Sequence, residues 1–562
     1  MRREPTLLHD TTFDLVVVGG GITGACLAHD ATLRGLSVAL VERGDFGSET
    51  SAASSKLLHG GIRYLQQGRV DKVRESARER ASFQRIAPHL TRWVPFLIPT
   101  QRGVLRGRAL LQSGMWMYRW LTRGGDRGVR DPSKRTPDGS FYSRADLVRL
   151  VPELEPRDDV TGAQVLYESH LHSSERMTLA FLKTAARGGA VVTNYTTVDR
   201  LLESNGRVSG VSVVDGPSGT RFDIKARMVA NATGPWITGL NDRFGIGHLK
   251  SPIRGFSKGA HIVTRQVVDT FALALPTKRQ SASLLDRGGR HIFVIPWRGH
   301  SLIGTSDRSY TGPLDEVGPT DADVDDLLGD VTTALPGLEL KRSDVCHAFA
   351  GLYPLTAHDL RPDVYQGTGD YQVIDHGRAG GTEGVLSVLG AKYTTARRVA
   401  ERATTLICAK LGHASRRCQT EHARLVGGDI DDLDRFERES IERHGTRLDR
   451  DTVEHLVHHY GTETDAVVEK GSADGESVPL LSKVAPERET LGVEVRFAVE
   501  EEMAVTLADV VLRRTGLGTI GDPGEKCLRG CAEIMGQYLG WSEAQQQEEV
   551  HVTQLLFGVR GS

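Results

Sequence analysis

The sequence predicts an α/β protein with a Rossmann-like domain, an interleaved mixed-sheet domain and a C-terminal α-helical domain. Three observations lead to this fold class. An apolar strand, a glycine-rich turn, a helix and a second strand follow one another near the N-terminus, which is the order of a βαβ unit. Strand-like stretches recur between residues 188 and 389. After Cys418 the composition becomes acidic and helical, with few strand signals.

The βαβ unit carries a glycine pattern with a clear physical purpose. The apolar run Leu15–Val18 leads directly into Gly19, Gly21 and Gly24, and the second strand ends on Glu42. The first glycine permits a tight turn, the second lets a pyrophosphate approach the backbone, and the third lets the helix pack closely on the strand. Glu42 stands where an acid commonly binds a ribose. The pattern predicts an adenine dinucleotide, and the alternative is an ordinary strand–helix turn with spare glycines.

Bulk composition limits the classes of function. The 562 residues are enough for roughly two to four domains. The formal net charge of −2 gives no overall signature of nucleic-acid binding. The six cysteines are scattered, which suits a reducing compartment. No signal-peptide core and no apolar run of about 18 residues is found, so we expect a cytoplasmic protein.

The segments between the motifs predict further elements. A helix of mixed charge is expected at about 70–86, and Asn205-Gly206 and Gly216–Gly219 predict hairpin turns. Strand pairs are expected at 291–297 with 301–304 and at 371–375 with 385–389, followed by a helix over 393–410.

A basic segment, residues 101–135, has Trp116, Trp120 and other large apolar residues interleaved with its arginines. Such a segment is compatible with peripheral contact on the inner face of an anionic membrane. The alternative is a charged cap over an active site.

Eight segments spread over nearly the whole chain form a second set of motifs: VVVGGGITGACLAHDATLRG, SAASSKLLHGGIRYL, NATGPW, KGAHIV, HIFVIPW, IGTSD, SVLGAKYTTARRVAE and EEMAVTLADVVLRRT. Together and in this order they resemble the FAD-dependent, aerobic type of glycerol-3-phosphate dehydrogenase, within the larger group of D-amino-acid-oxidase-like flavoproteins. The resemblance implies a domain at 1–411 that binds FAD and contains interleaved substrate-binding parts at roughly 62–165 and 250–365. It also implies a helical domain at 412–562, a small-molecule substrate, and quinone or O2 as electron acceptor.

FAD is expected to be held at both ends. The turn Gly19–Gly24 would bind the diphosphate, Glu42 the ribose, and Ser54 and Ser55 the ring or the phosphates. The alternative for this serine-rich loop is a solvated linker. Gly234, in the small-residue turn NATGPW, is a further cofactor-binding candidate.

Lys392 and Thr394 stand ahead of the predicted helix 393–410. The N1–C2=O region of the isoalloxazine gains negative charge on reduction, and a cation or a helix N-terminus stabilises that charge. The GAKYTT segment fits this role, so both residues are expected at the flavin.

Removing a hydride from a carbon that bears a hydroxyl requires a base for the hydroxyl proton and cations for an anionic handle. His59 and His261 are candidate bases, because a histidine titrates near ~6.5. The resemblance favours His261. Arg63 and Lys392 are the cations at matched positions, and Tyr64 is expected to contact the substrate. The alternatives are structural histidines and surface ion pairs.

The chain departs from the family at the expected phosphate-binding arginines. Tyr353 replaces the arginine before Pro354-Leu355, and Gly369 replaces the arginine before Asp370. A tyrosine cannot supply the charge of a bidentate arginine. Arg361 lies between the two positions and is a candidate substitute. The sequence therefore predicts a diverged member acting on an alcohol, an amine or a related nitrogen compound. The alternative is a genuine glycerol-3-phosphate dehydrogenase with a rebuilt phosphate site.

Other interpretations remain open on the sequence alone. The chain could be a flavin-binding protein without turnover or an NAD-dependent enzyme, although a second glycine pattern is absent. The spacing of His455, His458 and His459 suggests one helix face, for which a solvated surface is preferred over a metal site. A homodimer is a further expectation.

Overall fold

The computed structural model describes residues 1–66, 68–103, 107–246, 253–276, 291–356, 370–414, 416–472 and 480–558, with only the backbone of residues 63 and 66. Within these ranges the chain forms two large β-sheets and a C-terminal group of helices. The strands are β1 Thr12–Val18, β2 Val38–Val41, β3 Leu57–Leu58, β4 Thr91–Gln101, β5 Phe141–Ser143, β6 Val160–Leu171, β7 Val191–Thr193, β8 Thr196–Ser204, β9 Arg207–Asp215, β10 Arg221–Asn231, β11 Gly255–Arg265, β12 Ala272–Pro276, β13 His291–Trp297, β14 His300–Gly304, β15 Arg308–Tyr310, β16 Val345–Leu355, β17 Gln372–Asp375 and β18 Val385–Leu389.

The helices lie around the sheets and in the C-terminal part of the chain. They are α1 Ile22–Leu33, α2 Ile62–Gln66, α3 Val70–Ile86, α4 Arg108–Thr122, α5 Arg144–Leu150, α6 Ser174–Arg187, α7 Ile237–Arg243, α8 Asp321–Ala334, α9 Ala396–Leu411, α10 Leu433–His444, α11 Arg450–Tyr460, α12 Thr464–Lys470, α13 Gly492–Glu502, α14 Glu525–Leu539 and α15 Glu543–Leu555.

The first sheet has the predicted Rossmann-like centre. β1 pairs in parallel with β2 and β10, β2 pairs with β7, and β10 pairs with β18. β17 adds an antiparallel edge, while β8, β9 and β10 form an antiparallel meander whose turns are the two predicted from sequence. The helix α1 is buried on nearly all sides because it lies between this sheet, α6 and α9. The predicted βαβ unit is confirmed.

The second sheet is largely antiparallel. Its strands come from two stretches of the chain, 57–171 and 255–355. In the sequence, these stretches precede and follow β7 to β10 of the first sheet. β11 pairs with β14, β15 and β16, and the predicted pair of strands around residues 291–304 is the hairpin β13–β14. The chain thus crosses between the sheets several times, which brings segments distant in sequence to a shared boundary.

The C-terminal helices α10–α15 enclose their own apolar core, as the composition after Cys418 predicts. Buried ion pairs join them to the first sheet region: Arg514 Nη1 lies 2.7 Å from an Asp45 carboxylate oxygen, and Lys183 Nζ lies 2.8 Å from Glu502. Within the described ranges, no helix is both long enough and apolar enough to cross a membrane.

Candidate active site

A cavity of about 610 Å³ is lined by residues of both sheets. One end lies at the carboxyl ends of β1 and β2, where open α/β sheets generally bind ligands. The rest of the wall comes from β11, β16 and the turn at 390–394 ahead of α9, and a Cβ built on Gly390 of that turn would lie 2.5 Å from Thr23 Oγ1 in α1. Its size is within the range of small-molecule sites.

The glycine turn leaves no room for side chains. Gly19 has a φ of +110°, and a Cβ built on it would lie 2.8 Å from the Ala232 carbonyl oxygen. A Cβ on Gly24 would lie only 1.9 Å from the Gly19 carbonyl oxygen, because the helix packs directly on the turn. Gly21 stands at the N-terminus of α1 and lines the cavity. At Gly21 a built Cβ would meet only Ser51 Oγ, at 3.2 Å, so the backbone at the N-terminus of α1 faces the cavity.

Glu42 also lines the cavity, at the end of β2. Its carboxylate accepts hydrogen bonds from the Gly20 N–H at 2.6 Å and the Gly44 N–H at 2.9 Å, and burial raises the pKa of Glu42. Ser51 Oγ accepts from the Ile22 N–H at 2.9 Å. Glu42 and Ser51 thus hold the loops around the glycine turn. A bare turn, a helix N-terminus and a terminal acid fit an adenine dinucleotide.

Three of the other predicted cofactor-binding residues, Ser54, Ser55 and Gly234, line the same cavity. Ser54 Oγ accepts from the Lys56 N–H at 3.2 Å, and Ser55 Oγ lies 2.9 Å from His261 Nε2. The serine-rich loop is therefore packed against β11 and is not a solvated linker.

His261 of β11 also lines the cavity. Its ring stacks on Phe349 of the paired strand β16, with centroids 5.1 Å apart. Burial, with a smaller contribution from the nearby Lys56 ammonium, lowers the pKa of His261 to about 3. The imidazole is consequently neutral at physiological pH, and among the described residues its Nδ1 has no hydrogen-bond partner.

His59 and Lys392 face the same region from different segments. The His59 backbone N–H donates to Thr394 Oγ1 at 3.1 Å, which connects the two segments. Lys392 Nζ lies 3.9 Å from the centre of the Tyr64 ring. Burial, and secondly the positive charge of Lys72, lower the pKa of Lys392 to about 7.

Tyr353 lines the cavity as well, and it pairs with Ser257 across β11 and β16. A tyrosine therefore occupies the wall where the resemblance places an arginine. The side chain of Arg63, and Arg361 and Gly369 as whole residues, lie outside the described part of the structure.

The structure also reveals contacts that the sequence does not indicate. Near the nucleotide end, Asp315 accepts from Arg43 at 2.6 Å and from Trp236 Nε1 at 2.8 Å, and the Arg43 guanidinium lies 4.6 Å from the Trp236 ring centre. All three residues line the cavity. They come from three separate segments, so no local pattern could have identified them.

Fold and cavity together define a dinucleotide-binding oxidoreductase whose cavity also contains His59, His261 and Lys392. Residues 14–397 match the family model described as FAD dependent oxidoreductase, and residues 418–546 match the C-terminal domain of alpha-glycerophosphate oxidase. The chain belongs to the glycerol-3-phosphate dehydrogenase family of FAD-dependent oxidoreductases. This confirms the family and the cofactor expected from the sequence.

Relatives cover almost the full length. The chain is 31% identical to a glycerol-3-phosphate dehydrogenase of Synechocystis over 98% of this chain and 97% of that protein. It is 33% identical to glycerol-3-phosphate dehydrogenase 2 of Mycobacterium tuberculosis, covering 96% and 87%. Among solved structures, the Bacillus halodurans glycerol-3-phosphate dehydrogenase complexed with FAD gives a TM-score of 0.77 at 27% identity, covering 98% and 95%.

Proposed function

We propose that this chain oxidises a small polar alcohol or amine-type substrate, with FAD as the hydride acceptor, and that the substrate carries less negative charge than glycerol 3-phosphate. The main observation behind this proposal is that the glycine turn, His261, Lys392 and Tyr353 line one cavity. FAD, when bound, supplies the chemistry of hydride acceptance. The protein contributes binding, orientation and the handling of one proton.

Binding of FAD is assigned to the turn at Gly19–Gly24, to Glu42 and to the turn ahead of α9. The bare backbone at the first turn of α1 fits a diphosphate, because its helix dipole and N–H groups attract anions. Lys392 and Thr394, in the turn ahead of α9, line the same cavity. A cation there stabilises negative charge on the reduced ring system.

His261 is proposed as the acceptor of the substrate's hydroxyl or ammonium proton. Its depressed pKa makes the imidazole a weaker base than a free histidine, but keeps it unprotonated at every physiological pH. The Ser55 hydroxyl and the Phe349 ring fix its orientation. Lys392, with a pKa of about 7, changes its charge near neutrality.

Tyr353 supports the proposed substrate class. A buried phosphate without a matching cation is poorly compensated, and the tyrosine offers a hydroxyl in place of a guanidinium. We expect weak turnover of glycerol 3-phosphate. A kcat/KM of about 10⁴ M⁻¹s⁻¹ or more with this substrate, which is in the ordinary enzyme range, would contradict that expectation.

Glycerol 3-phosphate itself is the second candidate, favoured by the names of the relatives. A phosphate would then depend on Arg63 and Arg361. Anaerobic bleaching of the flavin absorbance by phosphorylated and unphosphorylated alcohols, amines and amino acids separates the candidates. Tyr353→Arg is the matched variant: it should improve reduction by glycerol 3-phosphate and leave reduction by glycerol unimproved. Bleaching by none of the compounds would favour a non-catalytic flavoprotein.

The electron acceptor is proposed to be a membrane quinone, with O2 as the alternative. The helix α4 exposes four large apolar side chains beside the basic Arg108 and Arg119, a combination that suits an anionic bilayer surface. Cosedimentation with vesicles of anionic and of neutral lipid tests this contact, and quinone-dependent reoxidation tests the acceptor. The exposed residues and their exposed fractions are Leu110 48%, Trp116 71%, Met117 42% and Trp120 59%.

A homodimer is a further proposal, to be tested by light scattering.

A further inference from the structure

A buried ion pair lies directly behind the loop that carries His59. Arg80 of α3 and Glu168 of β6 are 3% and 4% exposed, and Arg80 Nη1 lies 2.9 Å from Glu168 Oε2. Neither residue lines the cavity. Burying two charges is costly, and such a pair is weak evidence for stability. Its position therefore calls for another explanation.

Glu168 holds the backbone of the loop. The same Oε2 atom that accepts from Arg80 also accepts from the Gly60 N–H at 2.7 Å. Arg80 is itself fixed, because it donates to the Tyr167 carbonyl at 3.3 Å and its guanidinium lies 4.9 Å from the Trp93 ring centre. The carboxylate is thus an immobile acceptor for a single backbone N–H.

From Gly60 the connection continues into the cavity. The neighbouring His59 N–H donates to Thr394 Oγ1, two residues beyond Lys392. Both His59 and Lys392 line the cavity. The Gly60 hydrogen bond thus fixes the backbone next to His59 at the cavity wall, and the His59 hydrogen bond connects that backbone to the turn ahead of α9.

The atoms around Gly60 are closely packed. A Cβ built there would lie 1.9 Å from Tyr118 Oη of α4 and 2.5 Å from Arg80 Nη1. The loop is held by hydrogen bonds on one side and by close contact on the other. Any loss of the Glu168 acceptor would let the backbone move, since no other described group accepts from the Gly60 N–H.

We propose that Glu168, oriented by Arg80, is a positioning residue that sets the place of His59 and of the Lys392–Thr394 turn for hydride transfer. This inference rests on the proposed oxidoreductase function. A displacement of about 1 Å at such a site can cost on the order of 10²-fold in rate, so the effect is measurable.

The test compares Glu168→Gln with Glu168→Met in FAD-loaded protein. The amide oxygen of Gln can accept both hydrogen bonds, while Met keeps the volume and accepts neither. We expect the rate of substrate-driven flavin reduction per bound flavin to fall at least about tenfold in Glu168→Met and to stay within about threefold in Glu168→Gln. Asp30→Asn is the matched control, because Asp30 forms an equally buried ion pair with Arg34, 2.7 Å long, at the far end of α1.

Two further readouts do not depend on turnover. Hydrogen exchange of the peptide covering 57–61 should be faster in Glu168→Met than in Glu168→Gln. The affinity of the flavin for sulfite, followed by bleaching of its absorbance, should weaken in the same order, because sulfite addition adds negative charge that the Lys392 ammonium would stabilise. If Glu168→Met does not fold, the double variant Arg80→Met/Glu168→Met is measured in its place. It leaves no unpaired buried charge and still lacks the acceptor for the Gly60 N–H.

A normal rate per flavin in Glu168→Met or in the double variant would overturn the inference. Equal losses of rate in Glu168→Gln and Glu168→Met would also overturn it. Such a result would mean that the negative charge of Glu168 matters and its hydrogen bond to Gly60 does not. An equal loss in Asp30→Asn would show general destabilisation. If no substrate reduces the wild-type flavin, the proposed function fails, whereas exchange and sulfite binding still decide whether Glu168 positions the loop.

Discussion

The charge of Lys392 should control the pH dependence of hydride transfer. Its pKa is lowered to about 7 by burial and by the neighbouring charge of Lys72. If the ammonium form stabilises the charge that develops on the reduced flavin, the reaction needs protonated lysine. About 90% of the side chain is protonated at pH 6 and about 10% at pH 8. The rate of flavin reduction should therefore fall about tenfold per pH unit above pH 8.

Three variants turn this expectation into a test by stopped-flow, anaerobic flavin reduction between pH 5.5 and 9. Lys392→Arg keeps its charge throughout and should flatten the profile, even if its absolute rate is lower. Lys392→Met should be slow at every pH. Lys72→Gln should move the descending limb to higher pH, because removing the neighbouring positive charge raises the pKa of Lys392.

Whether the rate rises or falls with pH distinguishes two roles of Lys392. A rate that rises between pH 6 and 8 would refute the cationic role and make the neutral amine of Lys392 the base. A flat wild-type profile would show that its ionisation does not matter. His261 cannot produce either limb, because the pKa of its buried imidazole is about 3.

Further predictions concern the cofactor, the base, the surface and acid stability. Gly21→Val should give colourless protein, because the side chain would hold a diphosphate away from the backbone; full flavin occupancy would defeat this assignment. His261→Ala should slow flavin reduction by about 10²-fold or more at normal flavin content, and an unchanged rate would move the base role to His59 or solvent. Replacing Trp116 and Trp120 with serine should weaken cosedimentation with anionic vesicles while flavin reduction stays unchanged; equal cosedimentation would remove the membrane contact. Burial holds the pKa of His89 well below its unfolded value of about 6.5, so the unfolded chain binds the extra proton first and the melting temperature should fall as pH drops below about 6.5; a melting temperature constant from pH 7 to 5 would contradict this.

Much of the architecture could be predicted because its signals are local. The β1–α1–β2 unit and the two turns of the β8–β10 meander depend on residues adjacent in sequence. The glycine spacing is likewise local, and the same geometry appears in the structure as backbone contacts too close for a side chain. The mixed sheet was expected only in outline, because its pairings join strands as distant in sequence as those of Phe96 and Ala272.

In the site, too, residues within local motifs could be predicted, whereas contacts between distant segments could not. The motifs that contain His59, His261 and Lys392 were recognisable, and all three residues line one cavity. The contact of Ser55 with His261 spans 206 residues, and that of Gly60 with Glu168 spans 108. No short pattern predicts such pairs. The expectation of ordinary titration for His261 also changed, because burial lowers its pKa to about 3.

The family, the cofactor and the order of the elements could be predicted from residue types at fixed local spacings. The resemblance to the family also places Tyr353 where an arginine is expected. Which polar groups meet, how deeply they are buried and which of them titrate near neutral pH could be read only from the folded chain. Desolvation and charge–charge interaction depend on distances between segments, and those distances are set when the two sheets and the helices pack together.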